Sequence, residues 1–218
     1  MGLPVHKLPT RVGRSFLVDH RGVLTLVDAG TRGEPEKIAK AIRSLGRRPD
    51  EVRQIVVTHG HGDHAGGAAR LRQLCDAPVF CGAGDADVIA GRRPYDLAPA
   101  AWGRAFYGWL SRYPRFEVEH AVDERTEIDG GLEIIPAPGH TRGHVAVWAP
   151  EHEALFVGDA VWRLGRLAES WKAFTQDRER SEETVRRLAD LPSQALFFGH
   201  GTTLRRGGRD RLRRLVSD

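Results

Sequence analysis

Apolar and polar positions alternate along the chain with two different periods, one typical of strands and one typical of helices. Two apolar, β-branched runs at 15–19 and 23–27 are joined by a polar turn that contains glycine, and this pattern predicts a β-hairpin. Ile38 and Ile42 then recur at helical spacing, which predicts a helix over about 34–45. The first elements are therefore expected to be a hairpin followed by a helix.

Beyond this segment, short apolar runs of strand length are separated by longer amphipathic stretches. Strands are expected at 54–58, 78–81, 116–121, 132–136, 144–148, 154–157 and 195–198. Helices are expected at 66–74, at 182–191 and from about 209 onward. Because strands and helices alternate in two similar halves, the pattern predicts an α/β sandwich of two sheets with helices outside.

One segment, at about 84–115, departs from this alternation and combines several prolines and glycines with a cluster of aromatic side chains. We expect a helical, aromatic-rich insertion here, made of one or two helices. A length of 218 residues suits one compact domain, so residues 1–218 are expected to form a single domain that carries this insertion.

Composition and charge are those of a globular protein. Charged residues make up 28% of the sequence, and no apolar run reaches the ~18 residues that a membrane helix needs. The net charge of +4 is spread in scattered arginine pairs, which argues against a nucleic-acid partner. Without an apolar secretion signal, the chain is expected in the cytoplasm. The sequence leaves its oligomeric state open.

The most informative segment directly follows a predicted strand and reads HGHGDH over residues 59–64. Residues i and i+2 of an extended backbone point the same way, so His59 and His61 can present two imidazoles to one metal ion. Asp63 and His64 come after the chain has turned, and they are therefore free to face a neighbouring ion. The motif predicts a metal site at the end of this strand.

Three more residues of metal-ligating type stand in the same setting, just past an apolar strand and beside a glycine. They are His140, Asp159 and His200. Glycine permits close backbone approach at such strand ends. With the 59–64 motif, these residues supply five histidines and two aspartates, enough for two metal ions that share one carboxylate. Imidazole and carboxylate ligands without thiolate suit Zn²⁺, and Fe or Mn also accept them.

This set of residues resembles the metallo-β-lactamase-fold superfamily of hydrolases, and within it the glyoxalase II-like (hydroxyacylglutathione hydrolase-like) group. The resemblance covers nearly the whole chain and includes the segments PGHTRGH at 138–144 and LVDAG at 26–30. It implies a four-layer αββα sandwich of two mixed β-sheets with helices outside. The implied ligands of one ion are His59, His61 and His140. The implied ligands of the other are Asp63, His64 and His200, with Asp159 as the bridge.

This ligand set predicts a dinuclear hydrolase that cleaves an ester or thioester bond of a small molecule. Two cations ~3.5–4 Å apart can hold a bridging hydroxide, because coordination lowers the pKa of water toward ~7. We expect this hydroxide to attack the scissile carbonyl, while the ions stabilise the oxyanion and the leaving group. Asp63 is the candidate catalytic residue, since it can orient the hydroxide or pass on its proton.

Loops beside a rigid site commonly set substrate specificity, so aromatic and charged loop residues are candidates for a substrate pocket. The candidates are Trp102, Phe106, Tyr107, Trp109, Arg142 and Trp162. The four aromatic residues of the insertion either form a pocket wall or close a small satellite core. Arg142 either faces solvent or meets an anionic substrate group.

Other polar residues are expected to have supporting or surface roles. His144 and Asp28 are predicted to hold ligand-bearing loops by hydrogen bonds rather than to bind metal. The remaining histidines lie in terminal or turn positions and are expected at the surface. They are His6, His20, His120 and His152.

Other activities of the same fold are alternatives. Lactonases share the ligand set but usually have tyrosine where Trp162 stands. RNA-processing nucleases use the same motif, and persulfide dioxygenases use a single iron held by two His and one Asp. A binding module without turnover would predict damaged ligands, and none is damaged here. Only 18 residues follow His200, where glyoxalase II-like enzymes carry a glutathione-gripping domain, so glutathione specificity is not expected.

Overall fold

Two β-sheets pack face to face in the computed structural model, which describes residues 4–94 and 112–217. Within these residues the first sheet has six strands, in spatial order β1 (Val5–Lys7), β2 (Phe16–His20), β3 (Val23–Val27), β4 (Val52–Val56), β5 (Val79–Gly82) and β6 (His120–Val122). Strands β1 to β3 pair antiparallel, and β3 to β6 pair parallel. The first sheet is therefore mixed.

The second sheet follows in the later part of the chain. Its five described strands are β7 (Thr126–Ile128), β8 (Leu132–Pro136), β9 (Val145–Ala149), β10 (Ala154–Gly158) and β13 (Ala195–Phe198). Between β10 and β13, the strands β11 (Val161–Leu164) and β12 (Arg166–Glu169) form a separate hairpin. Their spatial order is β13-β10-β9-β8-β7, and β10 pairs parallel with β13 while the other pairs are antiparallel. This sheet is mixed as well.

Helices cover the outer face of each sheet. They are α1 (Pro35–Ser44), α2 (Ala68–Cys75), α3 (Ala83–Ile89), α4 (Arg178–Leu188) and α5 (Gly208–Leu215). The first three pack on the first sheet, and the last two pack on the second. The four layers confirm the αββα sandwich that the sequence predicts. None of the helices within the described residues has the length and apolar character that crossing a membrane demands.

Alternation along the strands divides the core into three buried clusters. In β2, Leu17 faces the helices of the first sheet, while Phe16 and Val18 face the second sheet. The ring of Phe16 meets that of Phe156 edge to face, with centroids 5.6 Å apart, across the gap between the sheets. Each fully buried side chain of this size stabilises the fold by ~1.5–3 kcal/mol. The period of two therefore fixes which face of each sheet meets the other.

Several element boundaries differ from the sequence prediction. The strand expected at 116–121 begins only at His120, and the helix expected at 182–191 runs from Arg178 to Leu188. Asp177 caps this helix by accepting a hydrogen bond of 3.0 Å from the Arg180 backbone N–H, which explains its earlier start. Strands β1, β7, β11 and β12 are short and were not predicted, since they lack a clear apolar run.

The helical insertion expected at about 84–115 is seen only in part. Helix α3 occupies its first residues, and residues 112–115 have no regular structure. The pocket candidates Trp102, Phe106, Tyr107 and Trp109 lie outside the described residues.

Candidate metal centre

All seven predicted ligand residues lie together at one edge of the sandwich, in the loops that follow β4, β8, β10 and β13. Their ligand atoms form two groups, each with all atoms within 4.8 Å of one another. The first cluster is His59, His61, His140 and Asp159. The second cluster is Asp63, His64 and His200. Residues far apart in sequence therefore converge because these strands end at the same edge.

The first cluster is fully enclosed by protein. His61 Nδ1 lies 2.7 Å from His59 Nε2 and 3.0 Å from His140 Nε2. Asp159 Oδ2 lies 3.7 Å from His140 Nε2. All four side chains are buried. Three ring nitrogens and a carboxylate oxygen thus point at one small volume.

The second cluster lies beside the first and opens slightly toward solvent at His200. His200 Nε2 lies 3.2 Å from Asp63 Oδ2 and 3.4 Å from His64 Nε2. Asp159 reaches this cluster too, with Oδ2 at 3.3 Å from His200 Nε2 and Oδ1 at 3.6 Å from His64 Nε2. Its carboxylate therefore stands between the two clusters.

The spacing of the donor atoms in the second cluster fits a tetrahedral metal ion. Zn–N bonds of 2.0–2.1 Å in a tetrahedron place neighbouring donor atoms about 3.3 Å apart, close to the 3.2–3.4 Å around His200 Nε2. Oδ1 of Asp159 is buried yet has no hydrogen-bond partner among the described residues. A buried carboxylate oxygen without a donor is costly, and a cation would satisfy it.

Hydrogen bonds behind the ligands fix the orientation of their rings. The Thr58 hydroxyl donates its proton to the Asp28 carboxylate at 2.9 Å. It can therefore only accept from His59 Nδ1, at 3.0 Å, and the lone pair of the His59 ring is on Nε2. His64 Nδ1 donates to Asp28 Oδ2 at 2.8 Å. Ser170 Oγ contacts His140 Nδ1 at 2.8 Å. In each case the nitrogen that faces the cluster is the one left for a metal.

The supporting roles predicted for Asp28 and His144 agree with these contacts. Asp28 holds His64 and the start of the 59–64 loop, and its own backbone is left-handed with φ +62°. His144 Nε2 accepts a hydrogen bond of 2.9 Å from the Asp159 backbone N–H, so this nitrogen holds the loop instead of a metal. Gly199 is required nearby, because a Cβ there would lie 2.0 Å from Asp159 Oδ1.

Asp85 in α3 also supports the site, and sequence reasoning missed it. Its buried carboxylate accepts from the Gly60 N–H at 2.8 Å, the Thr141 hydroxyl at 2.7 Å and the Gly143 N–H at 2.9 Å. These donors flank ligands of the first cluster, so Asp85 ties two ligand loops together. Burial raises the pKa of Asp85, and the three hydrogen bonds oppose that rise. No local pattern marks this residue, since its partners lie in distant loops.

A family model of the metallo-beta-lactamase superfamily matches residues 8–200. The chain belongs to this superfamily. The match confirms the family predicted from the 59–64 motif and the later ligand residues.

Among superfamily relatives, the chain is 24% identical to a probable metallo-hydrolase, YflN, of Bacillus subtilis over 90% of this chain and 83% of that protein. It is 33% identical to a hydroxyacylglutathione hydrolase of Pseudomonas putida, covering 82% of this chain but only 57% of that enzyme. The solved structure of TTHA1623 in a di-iron-bound form is 25% identical, with a TM-score of 0.75 and coverage of 97% and 98% of the two chains. These relatives share the superfamily fold with this chain, and the TTHA1623 structure holds two iron ions.

The pKa values of the histidines shift in opposite directions in the two clusters. In the first, burial and the neighbouring imidazoles hold the pKa of His59 well below its usual value, and burial lowers the pKa of His61 to about 3. In the second, burial opposes protonation, but Asp63, Asp28 and Asp159 raise the pKa of His64 to about 9. Asp159 and Asp63 likewise outweigh burial and raise the pKa of His200 to about 11.

Of the remaining pocket candidates, Trp162 lies beside the second cluster, and Arg142 lies in the loop that follows His140 of the first. The ring centroid of Trp162 lies 4.9 Å from that of His200 and 5.6 Å from that of Trp171. Trp171 stacks on Phe174 and is 56% exposed. Arg142 is exposed in the loop after His140, and its backbone N–H donates to Gln176 Oε1 at 3.0 Å. Trp171 and Phe174 were not predicted, because β11 and β12, which lead to them, carry no strong sequence signal.

Proposed function

We propose that this chain is a dinuclear metal-dependent hydrolase that cleaves an ester or thioester bond in a small-molecule substrate. The observation that carries the proposal is the position of Asp159. Its carboxylate lies 3.7 Å from His140 Nε2 in the first cluster and 3.3 Å from His200 Nε2 in the second. A carboxylate in this position is suited to bridge two cations, and two-metal sites are typical of hydrolytic chemistry.

In this proposal the ligands divide as the clusters do. His59, His61 and His140 would hold one ion, Asp63, His64 and His200 would hold the other, and Asp159 would contribute to both. When bound, the ions supply Lewis acidity and an activated water near neutral pH. The histidine and aspartate donors favour Zn²⁺, and the di-iron form of TTHA1623 makes Fe the main competitor.

The chain's own residues then orient the reaction and handle protons. Asp63 Oδ2 lies 3.2 Å from His200 Nε2, and the neighbouring histidines lower the pKa of Asp63 despite its burial. An ionised carboxylate at this position can hold the attacking water in place or accept its proton. Asp28 and His144 hold the loops that carry the ligands in place through hydrogen bonds. Trp162 shields the His200 side from bulk water.

The substrate class follows from two kinds of support. One relative is named a hydroxyacylglutathione hydrolase, which makes a thioester the first choice, although the chain spans only 57% of that enzyme. The aromatic rings of Trp162, Trp171 and Phe174 beside His200 are suited to an apolar substrate group. We therefore propose an ester or thioester with an apolar portion, without committing to glutathione.

The test combines elemental analysis of the purified protein with a panel of thioester, simple ester, lactone, RNA and persulfide substrates. We expect at least two Zn per chain and turnover of a thioester or ester. Preferred turnover of lactones would reassign the protein as a lactonase. One Fe per chain with O₂ consumption would indicate a persulfide dioxygenase, and salt-sensitive RNA cleavage would indicate a nuclease.

A further inference from the structure

Another group of metal-ligating side chains lies at the opposite edge of the sandwich. It consists of His20, at the end of β2, and Glu151 and His152, in the turn between β9 and β10, with ligand atoms within 4.8 Å of one another. Strand β10 runs from this turn to Asp159. Five residues at ~3.3 Å each place about 17 Å between the turn and the metal centre. This group is therefore separate from the first and second clusters.

His20 has the hydrogen bonding of a metal ligand. The sequence predicted it at the surface, but it is only 1% exposed, because the turn of the second sheet covers it. Its Nδ1 lies 2.5 Å from the Gly130 carbonyl oxygen, which can only accept, so Nδ1 carries the proton. In the neutral ring the lone pair is then on Nε2. That atom is buried and has no hydrogen-bond partner within the described part of the chain.

What faces His20 Nε2 is a carboxylate. Glu151 Oε2 lies 3.6 Å away. A nitrogen lone pair and a carboxylate oxygen are both acceptors, so the two atoms cannot bond to each other directly. A cation or a proton between them resolves the mismatch.

His152 completes the donor set. Its ring centroid lies 5.1 Å from that of His20, and the two rings are nearly perpendicular at 76°. Two imidazoles and one carboxylate, with an opening to solvent, match the donor preference of Zn²⁺.

Arg21 is the competing cation at this place. Its Nε lies 3.2 Å from Glu151 Oε2, and its Nη2 bonds Oε1. The two side chains are 56% and 49% exposed, and ion pairs in such settings are weak and readily exchanged. A metal ion can therefore displace Arg21 from Glu151, and the competition with Arg21 lowers the affinity of the site for the ion.

We propose that His20, Glu151 and His152 form a zinc site that joins the two sheets at the edge remote from the metal centre. His20 belongs to the first sheet, and the other two ligands belong to a turn of the second. The bound ion links the sheets and raises the thermal stability of the folded state. The site does not depend on the proposed hydrolase function.

The test is a Zn²⁺ titration of protein whose metal centre is already loaded, followed by native mass spectrometry and thermal unfolding. We expect one additional Zn²⁺ per chain and a higher Tm. His152→Ala and Glu151→Gln should lose the additional ion and the rise in Tm while keeping the wild-type hydrolysis rate. Glu153→Gln, which removes the neighbouring exposed carboxylate, is the matched control and should keep both.

Three outcomes would overturn the site. They are no additional ion in the wild type, equal binding by His152→Ala and Glu151→Gln, and a His20 ring that NMR finds protonated on both nitrogens with Zn²⁺ present. The last outcome would assign the group as a histidine–glutamate ion pair. Arg21→Ala should tighten zinc binding several-fold, and unchanged binding would contradict the role of Glu151. A third ion without hydrolysis would refute only the proposed function.

Discussion

The two clusters of the metal centre use the same residue types and have opposite proton chemistry. In the first, imidazoles face one another and share one carboxylate, so burial lowers the pKa of His61 to about 3. In the second, two imidazoles lie among three carboxylates, and two of these, Asp159 and Asp63, raise the pKa of His200 to about 11 against burial. Neighbouring charge, and not residue type, therefore decides which histidines carry protons before a metal arrives.

The clusters also differ in what holds them. Asp85 holds the first cluster through backbone and hydroxyl donors of the two ligand loops. Asp28 holds the second through a direct bond of 2.8 Å to His64 Nδ1. Asp85 thus supports the first cluster alone, whereas Asp28 supports the second directly and His59 of the first through Thr58. Substitutions that weaken metal binding in one cluster more than in the other can show whether turnover needs both.

The largest effect is expected from the shared carboxylate and its neighbour. Asp159→Ala should weaken metal binding in both clusters, and Asp63→Ala should weaken it only in the second. Each substitution should lower kcat more than about 100-fold, because each removes a contact to the metals or the water. The measurements are kcat, metal content and circular dichroism of each variant. Asp123→Ala, at an exposed aspartate, is the control. Wild-type rates in both variants would refute the two-metal mechanism.

The next effect concerns the supporting carboxylates. Asp85→Asn should weaken metal binding in the first cluster by about 10- to 100-fold, because an amide group replaces one acceptor oxygen with a donor. Asp28→Asn should weaken the second cluster by as much and the first by less, since Asp28 bonds His64 directly and reaches His59 only through Thr58. Metal titration followed by competition with a chelator should then find one tight site where the wild type has two.

Asp87→Asn is the matched control for Asp85→Asn, because Asp87 lies on the same helix with an exposed side chain paired to Arg92. It should bind metal as the wild type does. If Asp28→Asn weakened the first cluster more than the second, the division of support between the two carboxylates would be wrong.

The convergence of the seven candidate ligands could be predicted from sequence because each carries a local signal. The 59–64 motif, His140, Asp159 and His200 all follow an apolar strand beside a glycine, and the strand pattern alone places them at sheet edges. Asp85 carries no such signal, since its role arises from contacts with loops about 25 and 57 residues away. Tertiary contacts that join distant loops are not encoded in any short window.

The same limit explains the error at His20. A turn position predicts exposure, but Gly130 and His152, in two turns of the second sheet, contact His20 and bury it. Edge strands such as β1 and β7 escaped prediction for a related reason. Their short segments become strands by pairing with β2 and β8.

Proton release gives a test of the difference in protonation itself. Near neutral pH the second cluster holds protons on His64 and His200, whose pKa values of about 9 and about 11 lie above the solution pH. Metal binding must displace them, so uptake into that cluster should release about two protons per chain, and its affinity should rise with pH. The first cluster should release none, because the pKa of His61 is about 3.

The measurement is calorimetric titration of metal-free protein in two buffers of different ionisation enthalpy. His200→Asn should lower the release by about one proton, and His120→Ala, at an exposed histidine outside both clusters, should leave it unchanged. Equal proton release from the two clusters would contradict the assigned charges.

The smallest effect is expected at the aromatic side of the second cluster. Trp171 is 56% exposed and stacks on Phe174, and the ring centroid of the nearby Trp162 lies 4.9 Å from that of His200. An apolar substrate group is therefore expected on this side of the site and not beside the first cluster. Trp171→Ala should raise KM for a substrate with a bulky apolar group about three- to tenfold, with kcat and metal content unchanged. A substrate with only an acetyl group should show no change, because it cannot reach the ring. A fall in kcat for both substrates would instead indicate that Trp171 supports the position of His200 through Trp162.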